Sequence, residues 1–231
     1  MNISENLISE IEQSDLLHSL QMMANLFPGK VVFSSSLGQE DQVLTDLIFR
    51  NNIGIRVFTI DTGRLFNETY ELVEKVSARY RQPVEVFFPD AKAVEDYVAE
   101  NGINGFYEAI ERRKQCCNVR KIGPLNRALA GASVWITGLR AEQSGNRMQM
   151  PMLEWSEERQ LYKFNPLIRW KLADVLAYLR DHKVPYNTLH DRGFISIGCA
   201  PCTRAIEAGE DPRAGRWWWE ESKKECGLHG N

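Results

Sequence analysis

The sequence predicts an α/β domain built on a parallel sheet, and three observations lead to this prediction. Short apolar runs typical of buried strands alternate with segments whose apolar residues recur every three or four positions, as in amphipathic helices. Polar loops follow the ends of the predicted strands, where parallel sheets bind their ligands. Of the 231 residues, 43% are hydrophobic and 26% are charged, which is a balance that buries a core and keeps a domain soluble.

Composition also argues against several classes of protein. A formal net charge of −3 is not that of a general nucleic-acid-binding protein. No stretch approaches the roughly 20 apolar residues of a membrane span, and no early apolar run resembles a signal peptide. We therefore expect a cytoplasmic protein, in which clustered cysteines bind metal or react and do not form disulfides.

The first predicted unit is helix, strand, loop and helix. Apolar positions between Ile3 and Met23 follow a helical spacing, and residues 31–33 form a short apolar run typical of a strand. The serine-rich stretch 34–41 follows, and helical spacing resumes over residues 43–48. Such a loop leaves backbone N–H groups and the positive end of a helix dipole where a phosphate group binds.

The same unit repeats along the chain. Further strands are predicted at residues 55–60, 84–88, 134–137 and 161–165, and further helices at residues 65–80, 94–100, 105–117 and 172–181. Polar loops at residues 61–64 and 138–147 each follow a strand, so we expect them to join the serine loop in one pocket. We divide the chain into an α/β domain over residues 1–204 and a C-terminal arm over residues 205–231.

Four of the five cysteines form two tight groups, Cys116 with Cys117 and Cys199 with Cys202. Four thiols are the ligand count of a 4Fe–4S cluster or of a tetrahedral zinc site. Adjacent residues on a helix diverge by about 100°, which suits a cluster that offers each thiolate a different iron. Zinc sites favour a two-residue spacing in both pairs, so the adjacency of Cys116 and Cys117 favours iron.

The fifth cysteine, Cys226, stands alone near the C-terminus. Lys223, Lys224 and His229 are close in sequence, and nearby cations favour a thiolate over the free thiol, whose pKa is about 8.5. From the residues alone, a lone cysteine of this kind is more often incidental than catalytic.

Several motifs together resemble the assimilatory sulfonucleotide reductases, and more narrowly the adenylyl-sulfate (APS) reductases that carry an iron–sulfur cluster. The serine loop, residues 61–64 and residues 138–147 match as well, so the resemblance runs from about residue 30 to the end. Relatives that use only 3′-phosphoadenylyl sulfate (PAPS) typically lack the four paired cysteines. The motifs that carry the resemblance are Cys-Cys-x-x-Arg-Lys at 116–121, Cys-x-Pro-Cys at 199–202, Arg-Ala-Gly-Arg-Trp-Trp-Trp-Glu at 213–220 and Glu-Cys-Gly-Leu-His at 225–229.

The resemblance implies a fold, a reaction and a cofactor. The fold is an adenine-nucleotide-hydrolase-like (PP-loop type) domain with a mobile C-terminal arm. The reaction is the reduction of APS to sulfite and AMP through an S-sulfonate on Cys226, with thioredoxin or glutaredoxin as electron donor. One 4Fe–4S cluster is implied, with Cys116, Cys117, Cys199 and Cys202 as its ligands.

The resemblance also implies the residues of the active site. Lys121 lies between the cluster and the anionic substrate, and His229 joins Cys226 in the catalytic set. The loop that binds the phosphosulfate contributes Ser34, Ser35 and Ser36, and the nucleotide side contributes Asp61, Thr62 and Gly63. The arginines expected on the sulfate and phosphate oxygens are Arg140, Arg147, Arg213 and Arg216.

Two other functions compete with this interpretation. An ATP-dependent sulfur-transfer or tRNA-thiolating enzyme of the same loop class expects Ser-Gly-Gly-x-Asp-Ser, and residues 34–41 lack the paired glycines. A zinc module that binds protein or nucleic acid predicts a basic surface and two Cys-x-x-Cys pairs, and the sequence has neither. The sequence leaves open whether PAPS is also a substrate and whether the protein is a homo-oligomer.

Overall fold

A mixed sheet organises the fold. The computed structural model describes residues 3–143 and 147–220, and within them six strands form one sheet in the order β3-β2-β1-β4-β6-β5. The strands are β1 Val31–Ser34, β2 Arg56–Ile60, β3 Glu85–Phe87, β4 Val134–Ile136, β5 Leu153–Ser156 and β6 Leu161–Phe164.

Most of the determined strand pairs are parallel, as the sequence predicts. Strand β1 pairs in parallel with β2 and β4, and β4 pairs in parallel with β6. The sequence does not predict β5, which runs antiparallel to β6 with Leu153 opposite Phe164. This edge strand has only four residues and alternates apolar with polar side chains, so its pairing depends on the hairpin with β6.

Eight α-helices lie in the described part of the chain. They are α1 Glu5–Gln13, α2 Leu16–Leu26, α3 Gln39–Arg50, α4 Asn67–Tyr80, α5 Ala91–Asn101, α6 Ile110–Cys117, α7 Gly123–Leu129 and α8 Leu172–Asp181. The single N-terminal helix of the prediction is two helices, because Asp15 caps α2 by accepting from the His18 N–H at 2.8 Å. Within residues 3–143 and 147–220, no helix has the length and apolarity needed to cross a membrane.

The chain forms two compact units, each assembled from separate segments. Unit 1 contains the residues up to 58, residues 72–85 and residues 131–186. Unit 2 contains residues 59–71, residues 86–130 and, in the described part of the chain, residues 187–220. Phe33 and Phe164 are fully buried in the core of unit 1, and Phe106 and Trp217 are each 1% exposed in the core of unit 2.

Candidate active site

The two cysteine pairs line one cavity inside unit 2, which we call the cysteine cavity. Cys116 and Cys117 are the last residues of α6, Cys199 is the N-cap of the 3₁₀ turn Ala200–Cys202, and Cys202 is the last residue of that turn. The empty volume of the cavity is about 360 Å³, which includes the open solvent at its mouth. Its lining is Arg64, Phe106, Arg113, Cys116, Cys117, Arg120, Lys121, Cys199, Pro201, Cys202 and Trp217.

A change of helix type follows the first pair. The chain leaves α6 at Cys117 and continues as a π-helix over Asn118–Ile122 before α7 begins. Such π turns occur frequently at functional sites. Because the chain stays helical here, Arg120 and Lys121 follow the two cysteines by one turn and line the same cavity.

Hydrogen bonds hold the second pair against the loop after β2. The Ala200 N–H donates to the Arg64 carbonyl at 2.8 Å, and the Thr62 hydroxyl lies 3.2 Å from the Cys199 sulfur. The Tyr107 hydroxyl donates to the Pro201 carbonyl at 2.7 Å. The loop and the turn therefore bring Cys199 and Cys202 to the helix that carries the first pair.

Cys199 is buried, the other three cysteines of the cavity are half-buried, and cations line the same cavity. The pKa of Cys202 is raised to about 12, and burial is the largest cause. Neighbouring Cys199 contributes to this rise, while Lys121 and Arg216 oppose it. Burial likewise raises the pKa of Cys116. Without metal these two thiols hold their protons at neutral pH, so metal binding would release protons.

Two unsatisfied donors test whether an iron–sulfur cluster fits the cavity. Arg120 Nε and Trp217 Nε1 are buried and have no hydrogen-bond partner among the described residues. A sulfur-rich group in the cavity would accept from both, and four soft thiolates are the donor set of a 4Fe–4S cluster. No three Cys, His, Asp or Glu side chains in the described ranges are close enough to hold a single metal ion. The four thiols and the two unsatisfied donors are the groups that would hold a sulfur-rich cluster.

Three cations predicted to bind substrate belong to unit 2. Lys121 lines the cysteine cavity. Arg216 is buried with its guanidinium carbon 4.7 Å from the centre of the Trp217 ring. Arg213 is half-buried, and its backbone N–H donates to Asp211 Oδ1 at 2.8 Å. Of the three, Lys121 is the one placed directly among the cysteines.

Hydrogen bonds within unit 2 hold the loop after β2 in place. Asp61 Oδ1 accepts from the Gly63 N–H at 2.7 Å and from the Tyr70 hydroxyl at 2.9 Å. Gly63 has a φ of +71°, and the Thr62 carbonyl accepts from Arg120 Nη1 at 2.7 Å. The side chain of Thr62 reaches Cys199, so this turn supports the cysteine cavity, and its contact with a nucleotide stays a prediction.

The serine loop of unit 1 has its own internal hydrogen bonds. Ser34 Oγ accepts from Trp135 Nε1 at 2.7 Å, and Ser35 Oγ accepts from the Leu37 N–H at 3.1 Å. The N-cap of α3 is Gly38, which has no side chain to cap the helix. The start of α3 therefore has no side-chain cap, and the binding of a phosphate group at this loop stays a prediction.

Asp41 is a candidate residue that the sequence analysis missed. Its carboxylate is buried and accepts from Ser36. The pKa of Asp41 is raised to about 7, and burial is the largest cause. The hydrogen bond from the Ser36 hydroxyl opposes this rise, and the charge of Glu40 contributes to it. A Cβ at position 138 would lie 2.0 Å from Asp41 Oδ1, so Gly138 makes room for the carboxylate. The sequence signal that could have identified Asp41 is its position in the first turn of α3, directly after the serine loop.

Carboxylates and amides hold both arginines of the loop after β4. Arg140 is buried between Glu40 and Glu142, with N–O distances of 2.8 and 2.7 Å. Arg147 is buried and donates to Gln143 Oε1 at 2.6 Å. Their contact with substrate stays a prediction. Cys226 and His229 lie outside the described residues.

Comparisons with known proteins show what this chain is similar to. The model of the phosphoadenosine phosphosulfate reductase domain matches residues 30–205. The adenosine 5′-phosphosulfate reductase of Allochromatium vinosum is 55% identical over 200 residues, which cover 86% of this chain and 78% of that protein.

Solved structures agree on the fold. The phosphoadenylyl-sulfate (PAPS) reductase of Candida auris, in a phosphate complex, has a TM-score of 0.74 at 26% identity, over 89% of this chain and 99% of that chain. The FMN adenylyltransferase of Candida glabrata has a TM-score of 0.52 at 16% identity, over 89% of this chain and 74% of that chain, and shares the fold alone. The predicted nucleotide-binding α/β fold is confirmed. The chain belongs to the phosphoadenosine phosphosulfate reductase family.

Proposed function

We propose that this protein is an assimilatory APS reductase, which reduces APS to sulfite and AMP. The observation that carries the proposal is the cysteine cavity, where both cysteine pairs and Lys121 meet in a member of this family. The relative from Allochromatium vinosum, named for this activity, shares 55% of the aligned residues. The chemistry requires reduced thiols, which the cytoplasm maintains.

The reaction assigns the nucleophile to Cys226. Its thiolate attacks the sulfur of APS, the bond from sulfur to the bridging oxygen breaks, and AMP leaves with the electron pair. One thiolate of a reduced thioredoxin or glutaredoxin then attacks the Cys226 sulfur, and sulfite leaves with the electrons of the broken S–S bond. The second donor thiol displaces Cys226, so the donor ends as a disulfide. We assign His229 to the support of the Cys226 thiolate.

Basic side chains would hold the anionic substrate. We assign Lys121, Arg213 and Arg216 to the sulfate and phosphate oxygens, because a charge fixed beside the reacting group stabilises the transition state most. The serine loop with Arg140 and Arg147 would hold the phosphosulfate, and Asp61, Thr62 and Gly63 the nucleotide. To bind substrate, Arg140 has to break an ion pair with Glu40 or Glu142, so we rank it below Lys121 as a substrate contact.

The cofactor is one 4Fe–4S cluster on Cys116, Cys117, Cys199 and Cys202. The four thiols, the cations around them and the unsatisfied Arg120 and Trp217 donors support this assignment. When bound, such a cluster ties the two cysteine segments together and places negative charge that Lys121 offsets. We keep the division into a domain over residues 1–204 and an arm over residues 205–231 as part of the proposal.

A reaction without the electron donor tests the function. Brown protein given APS alone should release AMP once, gain the mass of one SO₃ group on the peptide that contains Cys226, and release sulfite when reduced thioredoxin is added. A colourless protein with bound zinc, or no adduct on Cys226, would contradict the proposal. Consumption of ATP with sulfur transfer to tRNA would indicate the competing sulfur-transfer enzyme.

A further inference from the structure

A buried ion pair joins the helix of the first cysteine pair to the last described residue. Arg113 Nε lies 2.5 Å from Glu220 Oε1, and each side chain is 4% exposed. The other ion pairs of unit 2 are more exposed, as in Arg204 with Glu210, where the side chains are 40% and 32% exposed. The Arg113–Glu220 pair is thus shielded from solvent, and an ion pair in such a place requires a specific geometry.

Arg113 is also part of the cysteine cavity. It precedes Cys117 by four residues on α6, so the two side chains lie on the same face of the helix, and both line the cavity. Its guanidinium carbon lies 4.5 Å from the centre of the Trp217 ring. One arginine therefore contacts the cavity, the tryptophan and the carboxylate of Glu220.

The turn over residues 217–220 is attached to the second cysteine pair as well. The Trp217 N–H donates to the Cys202 carbonyl at 3.2 Å, and the Glu220 N–H donates to the Trp217 carbonyl at 2.8 Å. Trp217 has a φ of +42° and is 1% exposed. A bulky residue adopts this left-handed conformation only where its surroundings determine it, so the turn has a fixed orientation.

The position of Glu220 limits the reach of Cys226. Six residues of chain span at most about 20 Å when fully extended, so the Cys226 thiol stays within that radius of an anchored Glu220. An ion pair that fixes Glu220 therefore fixes the point from which the chain continues to Cys226. A buried ion pair is a weak source of stability compared with apolar packing, and its value here is its orientation.

We propose that Arg113 and Glu220 are a positioning pair that anchors the start of the Cys226 segment beside the cysteine cavity. This inference rests on the proposed function, because it assigns Cys226 as the nucleophile. It adds that these two residues control the first half of the reaction, the attack on APS. The second half, sulfite release by thioredoxin, does not require Cys226 at the cavity and is independent of the pair.

The test is Glu220→Gln in the full-length, iron-loaded protein. Gln keeps the size and one acceptor but removes the charge. We expect S-sulfonate to form on Cys226 at least tenfold more slowly in a single turnover, with the Kd for AMP and the iron content unchanged. Sulfite release by thioredoxin from the isolated adduct should stay within twofold of wild type. Arg113→Lys, which keeps the charge and loses the planar fork, should show an intermediate rate.

The matched control is Glu210→Gln, which removes an exposed ion pair in the same unit and should leave both halves unchanged. Adduct formation at the wild-type rate in Glu220→Gln overturns the inference. So does a loss of iron, or an equal slowing of both halves, because either result makes the pair a structural element only. If wild-type protein forms no adduct on Cys226, the proposed function itself fails and the inference fails with it.

Discussion

Ser36 donates twice to one oxygen of Asp41, from its N–H at 2.5 Å and from its hydroxyl at 2.7 Å. The Asp41 carboxylate therefore already accepts hydrogen bonds from the Ser36 donors that an incoming anion would use. Because burial raises the pKa of Asp41 to about 7, this carboxylate changes its charge near neutral pH. The loop is thus sensitive to pH before any substrate binds.

The first prediction concerns the stability of the fold as a function of pH. The pKa of Asp41 is about 7 in the folded protein and 3.8 as a model carboxyl, so the folded state binds more protons between pH 4 and 7. The free energy of unfolding should therefore fall as the pH rises through this window, by an Asp41 contribution on the order of 4 kcal/mol. Asp41→Asn should remove that contribution. Urea unfolding at several pH values measures it.

The control for this prediction is Asp181→Asn, which changes an exposed carboxylate and should keep the wild-type slope. An Asp41→Asn protein whose stability still falls with the wild-type slope would show that another group is responsible.

The second prediction concerns the cysteine cavity. Replacing Cys116, Cys117, Cys199 or Cys202 with Ser should bleach the protein, lower its Tm and reduce its activity, since each change removes one ligand and metal binding also stabilises the local fold. Iron analysis and the visible spectrum provide the measurement. Full iron content and full rate in any one of the four variants would contradict the ligand assignment.

The third prediction separates Lys121 from the cluster. Lys121→Ala should keep the visible spectrum and lower kcat by about a hundredfold, because a charge acting on the transition state appears in kcat. Lys114→Ala is the matched control, since Lys114 is an exposed lysine on α6. Steady-state sulfite production measures both. If the rate of Lys121→Ala stays within a few-fold of wild type, Lys121 does not act on the transition state and contributes only to the charge of the protein.

The fourth prediction concerns the nucleophile. Cys226→Ser should keep its colour and bind AMP as wild type does, since the change leaves the four paired cysteines in place. It should form no S-sulfonate and release no AMP, because a serine hydroxyl is far less ionised than a thiol at neutral pH. Mass spectrometry of the intact protein after incubation with APS decides the matter. An adduct on another cysteine, or turnover by the serine variant, would overturn the mechanism.

Local sequence predicts most of the sheet and misses what depends on a partner. Strands β1, β2 and β4 are continuous apolar runs that end at polar loops, and each lies within two residues of its predicted bounds. Strand β5 has polar Glu154 and Ser156 in alternate positions, and only β6 makes it a strand. The break between α1 and α2 is set by the Asp15 cap, which the helical spacing conceals.

The candidate site shows the same limit. The number and grouping of the cysteines predict that they share a site, because four clustered thiols in a reducing compartment imply a ligand set. The sequence does not reveal that Thr62 supports Cys199, or that Glu40 and Glu142 hold Arg140. Each of these contacts joins segments that are distant in the chain, and no local pattern encodes them.

Two glycines make room for the side chains beside them. A Cβ on Gly138 would lie 2.0 Å from Asp41 Oδ1, and a Cβ on Gly198 would lie 2.4 Å from Arg216 Nη2. In a genetic selection for growth on sulfate, alanine at either glycine should resemble the loss of its neighbour. The two glycines would therefore register in genetics as members of the site, although neither has a side chain.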